Sequence, residues 1–385
     1  MTEKGWADVY LDNNATGVVA RECLEAMQAC LRPGIGNPSS AHAAGRRAKE
    51  FLREARAEVA GLVGARPREI VFTSSGTEAN HMAILGALAA RGGRRHIVTS
   101  TVEHPSTLML LRHLEGAGMA VTYLPVDREG RLAAPAVRDA VTADTALVTL
   151  MWANNETGVL FPIPEIAQAM QALAVPLHVD AVQAAGRIPI DLARAPIDML
   201  SLSGHKLHAP PGAGALFVRK DFRIAPLFWG HQERRMRGGT ENLPAIVGFG
   251  SACALAREDL EAEALRLGRL RAALERGVVE RFPAARIHGA CAPRLPNTTN
   301  IGFGTLDGEQ IMEAFDRRGV AVSLGAACAA GGMDPSHVLM AMGLDRRAAL
   351  GAIRFSFGRY NSEACVARVL ALLPDILGEA AARAA

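Results

Sequence analysis

The sequence predicts an α/β protein that has a mostly parallel, doubly wound sheet in a large domain and a second, smaller α/β domain. Short apolar runs of strand length alternate with helical patterns, as expected of parallel strands joined by crossover helices. Polar residues follow these runs one after another, at the carboxyl ends where such sheets gather ligands. The chain of 385 residues is also longer than a single domain of roughly 100 to 200 residues requires.

The first part of the chain supplies the main sheet. A short strand at residues 9–11 precedes the turn sequence DNNAT, and apolar residues recur at helical spacing over residues 44–64. Six strand-like runs follow, at residues 69–73, 96–100, 120–125, 146–152, 177–180 and 199–203, with a helical run at 78–90 after the first. We expect these six runs to share one sheet.

The pattern changes in the last third of the chain. A long helical pattern covers residues 243–282, with a break at the acidic residues near Glu258. Beyond it, strands are predicted at 298–303, 320–323 and 352–357, and helices at 308–318, 335–343 and from residue 362. We therefore predict a large domain at residues 15–255 and a small domain formed by residues 1–14 and 256–385.

Composition excludes several classes of function. The formal net charge is only +3 and no basic run is interleaved with aromatic residues, so nucleic acid is not an expected partner. The N-terminal residues lack an apolar signal core, and no apolar run approaches the roughly 20 residues that cross a bilayer. We expect a soluble cytoplasmic protein. Its six scattered cysteines form no CxxC pair, which predicts neither a disulfide framework nor a metal site.

Lys206 is one of only four lysines among the 42 Lys and Arg residues. It follows the buried-looking strand at 199–203 and precedes a turn of Pro and Gly, whereas Lys4, Lys49 and Lys220 occupy polar positions. An amine can lose its proton and form a Schiff base with an aldehyde, which a guanidinium cannot do. The alternative is a lysine that simply caps the end of a strand.

Gly76 and Thr77 lie where a strand, a turn of small residues and the start of a helix follow one another. Free backbone amides and the positive end of the helix dipole point into such a turn, which makes it a cradle for an anion. The sequence matches neither a Walker loop nor GxGxxG. A well-capped helix without a ligand is therefore the alternative.

Together, the residues at the strand ends suit pyridoxal phosphate. That cofactor needs a lysine, a carboxylate for the pyridine nitrogen, a phosphate cradle, a flat group on its ring and a cation for the substrate carboxylate. These places can be filled by Lys206, Asp180 with Gln183, Gly76 with Thr77, His104 and Arg354. Taken singly, Asp180 could cap a helix, His104 could be structural, and Arg354 could pair with a surface acid.

The chain resembles the cysteine desulfurases of the class V aminotransferase family. In chain order, the resemblance extends over the segments YLDNNAT, FTSSGTEAN, TVEHP, MWANNETG, HVDAVQAAG, SLSGHKLHAP, GTEN, RLPNTTN, DPSHVLMAMG and RFSFGRY. The resemblance covers nearly the whole chain. Within the family, the chain is most similar to the nitrogen-fixation type. It implies the fold of type I pyridoxal phosphate (PLP) dependent transferases, with a mostly parallel seven-stranded sheet.

The resemblance also implies a role for each cofactor residue. Lys206 would hold the cofactor, Asp180 would pair with the pyridine nitrogen, and His104 would stack on the ring and help to move protons. Gln183 and Asn155 would lie near the ring oxygen and the substrate. The phosphate would be bound by Gly76, Thr77, Ser203 and His205, and by Thr240 from a second subunit of a homodimer.

Arg354, with Asn155, would hold the carboxylate of L-cysteine, and Cys328 would be the nucleophile that takes its sulfur as a persulfide, releasing alanine. The segment around Cys328 departs from the family, which commonly has Ser and Thr where this chain has alanines at 326, 327, 329 and 330. An iron-sulfur scaffold protein is the implied sulfur acceptor, and Cys328 could transiently share a cluster with it. The sulfur would serve iron-sulfur cluster assembly, including that of nitrogenase.

The sequence also allows other functions. A selenocysteine lyase or an aminotransferase of the same fold would share the cofactor residues, and an aminotransferase would not need Cys328. A scaffold without catalysis, which binds assembly partners through the C-terminal loop, would need neither Lys206 nor the cofactor. Cys328 itself could be a small packed residue, although the glycines around it make a poor core.

Overall fold

The computed structural model describes residues 7–32, 34–324 and 334–384. The strands are β1 (Val9–Tyr10), β2 (Ile70–Thr73), β3 (His96–Ser100), β4 (Ala120–Leu124), β5 (Thr145–Met151), β6 (Leu177–Asp180), β7 (Met199–Ser203), β8 (Gly214–Val218), β9 (Arg286–Ile287), β10 (Thr298–Gly302), β11 (Val320–Ala321) and β12 (Ala352–Ser356). The helices are α1 (Arg21–Leu31), α2 (Ala43–Leu62), α3 (Gly76–Ala90), α4 (Pro105–Gly116), α5 (Ala134–Asp139), α6 (Ile163–Ala172), α7 (Leu243–Glu258), α8 (Leu260–Arg281), α9 (Gly308–Asp316), α10 (His337–Ala341), α11 (Arg346–Leu350) and α12 (Glu363–Ala384).

The main sheet has seven strands in the order β2-β8-β7-β6-β5-β3-β4. The six runs predicted from the sequence are β2 to β7, which confirms the predicted sheet, and their ends agree to within one residue. The seventh strand, β8, was not located from the residue pattern. It runs antiparallel to both β2 and β7. Because a turn rather than a crossover helix joins it to β7, it breaks the alternation on which the prediction depended.

Both faces of the main sheet are covered. Val98 and Val148 contribute to the apolar cluster on one face, whereas their neighbours Ile97 and Leu147 contribute to the cluster on the other. All seven residues of β5 are buried, which explains why its sequence is a continuous apolar run rather than an alternating one. The carboxyl ends of β5, β6 and β7 consequently open at one edge of a buried sheet.

Several helix boundaries differ from the predicted ones. α3 begins at Gly76 rather than at residue 78, because the Ser75 hydroxyl accepts a hydrogen bond from the Glu78 amide at 3.1 Å and caps the helix. The long pattern at 243–282 is two helices that meet at Asp259, next to the predicted break. The helix predicted at 335–343 is limited to α10, whose cap is the Ser336 hydroxyl.

A separate apolar cluster joins the N-terminal strand to the last third of the chain. It includes Val9 and Leu11 together with residues between Leu267 and Ala380. The associated sheets are β12-β10-β9 and the parallel pair β1-β11, where β11 is shorter than the strand predicted at 320–323. The domain division at residue 255, which falls within α7, stays a prediction. Within the described ranges, no helix is both long and apolar enough to cross a bilayer.

Candidate active site

A cavity of about 1160 Å³ lies at the carboxyl ends of the central strands, between the main sheet and the C-terminal part of the chain. Most of the residues proposed from the sequence line it, namely Gly76, Thr77, His104, Asn155, Asp180, Gln183, Ser203, His205, Lys206 and Arg354. Residues from distant parts of the chain therefore share one site. Thr240 is exposed and does not line the cavity of its own chain, and Cys328 lies outside the described residues.

Lys206 sits in a short 3-10 turn, Gly204–Leu207, that follows β7 directly. Its amine donates hydrogen bonds of 2.6 Å to the backbone carbonyls of Asn14 and Ala15. Burial, followed by the Arg354 guanidinium, lowers the pKa of Lys206 to about 8 against the opposing effect of Asp12 and Asp180. A sizeable fraction of this amine is thus neutral near physiological pH, as a nucleophilic lysine requires.

Asp180 is the last residue of β6 and is only 8% exposed. Its Oδ2 accepts a hydrogen bond of 2.7 Å from the Asn80 side chain, and its Oδ1 accepts one from the Val182 amide at 3.0 Å. The two donors fix the orientation of this buried carboxylate. Asp180 therefore presents an acidic side chain in a defined position at the cavity floor.

His104 caps α4, since its Nδ1 accepts a hydrogen bond from the Ser106 amide at 3.1 Å. Burial lowers the pKa of His104, Lys206 and His337 act in the same direction, and Asp180 opposes them. The ring is consequently neutral near pH 7. With Nδ1 accepting, the remaining proton belongs on Nε2, which leaves a flat, uncharged ring at the cavity wall.

The predicted anion cradle lies at the turn before α3. Gly76 and Thr77 occupy the first turn of the helix, where backbone amides lack an intrahelical acceptor. A Cβ on Gly76 would lie 2.9 Å from Val182 Cγ2 and 3.3 Å from Ser203 Cβ, so a side chain there would push the helix start away from the cavity. The pKa of His205 is lowered to about 4 by burial and then by Lys206, so His205 faces the cavity as a neutral imidazole.

Arg354 comes from β12 and reaches the cavity from the opposite side, 4% exposed. Its Nη2 donates to Asp12 Oδ1 at 2.6 Å, and its Nη1 donates to the Asn155 carbonyl at 3.2 Å. Arg354 does pair with an acid, as the alternative proposed, but that acid, Asp12, lines the same cavity. A guanidinium held in this way can bind a substrate carboxylate.

The structure adds cavity residues that sequence reasoning missed, namely Asp12, Asn14, Asn80, Glu156, Ser336 and His337. Asn80 lies one helical turn after Gly76, so helical spacing could have identified it. The sequence pattern presents Asp12 and Asn14 only as parts of a turn. Because their contacts are with residues more than a hundred positions away, no local pattern identifies them.

Two buried carboxyl groups lie beside the predicted site residues. Burial raises the pKa of Glu103 to about 8, and its Oε1 accepts a hydrogen bond of 2.6 Å from the Ser100 hydroxyl. Burial also raises the pKa of Glu156, which accepts a hydrogen bond of 2.5 Å from the Ser336 hydroxyl. Ser336 thereby fixes the start of α10 against the strand end that carries Asn155.

Comparison with known proteins places the chain in one family. The aminotransferase class-V model matches residues 9–369. A cysteine desulfurase of Trichormus azollae is 47% identical over 96% of this chain and 92% of the relative. The cysteine desulfurase NifS of Azotobacter vinelandii is 45% identical over 97% of this chain and 93% of the relative.

Among solved structures, a NifS-like protein superposes with a TM-score of 0.89 at 37% identity, covering 96% of this chain and 99% of that chain. The structural match and the sequence matches thus both cover almost the full length of this chain. The resemblance seen in the motifs is confirmed, and the chain belongs to the class-V aminotransferase family.

Proposed function

We propose that this protein is a cysteine desulfurase, which removes sulfur from L-cysteine and yields L-alanine and a persulfide on Cys328. The observation that carries the proposal is the cavity in which Lys206, Asp180 and Arg354 face one another, with Leu324 and Asp334 in its wall. Those two residues are the described ends of the segment that contains Cys328. The family to which the chain belongs is dependent on pyridoxal 5'-phosphate.

The residues present fit that cofactor. A low-pKa amine, a buried carboxylate with two donors and a glycine-lined helix start surround one cavity, and each matches a part of the cofactor. Lys206 would hold the aldehyde carbon, Asp180 the pyridine nitrogen, and Gly76, Thr77, Ser203 and His205 the phosphate. When bound, pyridoxal phosphate supplies a ring that accepts the negative charge formed at the substrate Cα.

Four side chains that line the cavity have specific roles in the proposed reaction. Arg354 holds the substrate carboxylate, and the amine of Lys206, once free, removes the proton from the substrate Cα. Neutral His104 can donate or accept a proton beside it. Asp180 would pair with the pyridine nitrogen of the bound cofactor, where a carboxylate favours the protonated ring.

The sulfur transfer balances without an added oxidant. The Cys328 thiolate attacks the substrate Sγ, an S–S bond forms, and the Cβ–Sγ bond breaks with its electron pair left on Cβ. A proton then completes the methyl group of alanine. The two sulfur atoms are together oxidised by two electrons, and the β-carbon is reduced by the same two.

The reach of the chain supports Cys328 as the acceptor. Four residue steps separate it from Leu324, and an extended chain spans at most about 3.6 Å per residue. A distance of about 14 Å from that cavity residue is therefore accessible to it. Leu324 itself lines the cavity, so the part of the cavity next to it lies within that radius.

The proposal extends to assembly and partners. Thr240 is exposed and absent from its own cavity, which suits a residue that completes the phosphate site of a second subunit in a homodimer. An iron-sulfur scaffold protein is the proposed sulfur acceptor. Nitrogenase is proposed as one destination of the sulfur, because the motifs are most similar to those of the nitrogen-fixation type. A cytoplasmic location is proposed because a reactive thiol requires a reducing compartment.

The test is the release of sulfide and alanine from L-cysteine with a thiol reductant present. Equal amounts of both products from the wild type, and neither from Cys328→Ala, are expected. Cys291→Ala is the matched control, since Cys291 is an exposed thiol outside the cavity, and it should retain full activity.

Other outcomes separate the alternatives. Amino transfer that survives Cys328→Ala would identify an aminotransferase, and a strong preference for selenocysteine would identify a lyase for that substrate. A protein that binds assembly partners but takes up no pyridoxal phosphate, and is unaffected by Lys206→Ala, would be a scaffold.

A further inference from the structure

Asn14 lies at the junction between the two sides of the cavity. It follows β1, is only 3% exposed, and lines the cavity. Its backbone amide donates to the Ser356 hydroxyl at 2.9 Å, which fixes it to β12. From that position its side chain hydrogen-bonds to Asn155 and its carbonyl hydrogen-bonds to Lys206, both of which have roles in the proposed reaction.

The side chain of Asn14 is fixed by three hydrogen bonds. Its Oδ1 accepts from the Asn297 side chain at 3.0 Å. Its Nδ2 donates to Thr298 Oγ1 at 2.9 Å and to the Asn155 carbonyl at 3.0 Å. The same Asn155 carbonyl accepts from Arg354 Nη1, so the Asn14 amide and the guanidinium share one acceptor.

The backbone carbonyl of Asn14 holds the other side of the cavity. It accepts from the Lys206 amine at 2.6 Å and from the Gln183 side chain at 3.0 Å. Both lone pairs of this oxygen are thus used by residues assigned to the cofactor. The side chain, which is anchored at three points, restrains the position of the residue that carries this oxygen.

We infer that Asn14 is a positioning residue that fixes the free Lys206 amine on one side of the cavity and the Asn155–Arg354 pair on the other. The inference rests on the proposed function, since it concerns the amine during the part of the reaction in which it is not covalently attached. An amine that must both attach to the cofactor and take up a proton needs a defined resting place. The Asn14 and Ala15 carbonyls provide it.

Chemistry explains why this position requires an asparagine. An aspartate would keep the acceptor for Asn297 but would place a charged oxygen 3.0 Å from the Asn155 carbonyl, where the native side chain has a donor. Two facing acceptors repel each other. Alanine would remove all three side-chain hydrogen bonds at once.

The experiment measures how fast protein freed of cofactor attaches added pyridoxal phosphate. Attachment is followed by absorbance and, after borohydride reduction, by the mass of the peptide that contains Lys206. Asn14→Ala and the similarly sized Asn14→Asp should each slow attachment roughly ten- to a hundredfold, because a misplaced reactive group loses rate on that scale. Both should also raise the KM for L-cysteine through the Asn155–Arg354 pair.

Asn13→Ala is the matched control. Asn13 is equally buried at 3%, and its side chain donates to the Tyr10 and Ser356 carbonyls and to Asn361, none of which line the cavity. It should lower the melting temperature and leave attachment at the wild-type rate. If Asn14→Ala does not fold, Asn14→Asp provides the measurement.

Two results would overturn the inference: attachment at the wild-type rate in the folded Asn14 variants, or an equal slowing in Asn13→Ala. Attachment requires no cysteine. A wild-type protein that captures pyridoxal phosphate but releases no sulfide would therefore refute the proposed function alone, and the attachment rates would still decide the role of Asn14.

Discussion

The protonation of Lys206 predicts the pH dependence of cofactor capture. Burial, followed by Arg354, lowers the pKa of Lys206 from the ordinary value of 10.5 to about 8. At pH 7 about one-tenth of such an amine is neutral, against about one part in 3000 for an unperturbed lysine. The buried amine is therefore about 300 times more available for attack at that pH.

The assay mixes the cofactor-free protein with pyridoxal phosphate at pH values from about 6 to 11, a range that spans both pKa values. The rate should rise with pH and level off with a midpoint near 8. Arg354→Gln should move the midpoint upward, because it removes a positive charge that disfavours the protonated amine. Arg257→Gln changes an arginine outside the cavity and should leave the midpoint in place. A wild-type midpoint near 10.5, or no movement in Arg354→Gln, would refute the reasoning.

Three further predictions concern buried polar groups. Asn80→Ala removes the 2.7 Å hydrogen bond to Asp180. It should raise the Kd for pyridoxal phosphate about tenfold or more in an equilibrium titration. An unchanged Kd would contradict this prediction. Glu233→Ala removes the carboxylate partner of Arg56 from an ion pair whose side chains are 1% (Glu233) and 12% (Arg56) exposed, and should lower the free energy of unfolding in urea by about 3 to 5 kcal/mol. Glu25→Ala, in an exposed pair, should lower it by less than about 1 kcal/mol. The folded-state pKa of Glu103 is raised from 4.5 to about 8, so the unfolded chain releases its proton first and this group destabilises the fold as pH rises between those values. The free energy of unfolding of Glu103→Gln minus that of the wild type should therefore be larger at pH 7 than at pH 5. An equal difference at both pH values would contradict this prediction.

The sequence by itself determined six of the seven strands of the main sheet, and it singled out Lys206 and the strand-end residues around it. Strand length, apolar runs and the polar residues that follow each run are local properties of the sequence. Crossover helices make the strands parallel, so their carboxyl ends lie at one edge of the sheet. Lys206, Asp180 and His104 could therefore be predicted to converge before any geometry was known. The family resemblance added the role of each, and these roles stay predictions, as do those of Cys328 and Thr240.

Only the tertiary structure decided which distant groups complete the site. The Asp12 partner of Arg354, the Asn80 donor to Asp180 and the position of Asn14 all depend on contacts between segments far apart in the chain. The antiparallel strand β8 likewise follows from pairing with β2 and β7 rather than from its own residues. Hydrogen-bond partners, burial and pKa values belong to the folded arrangement, because the sheet brings together groups that periodicity along the chain does not relate.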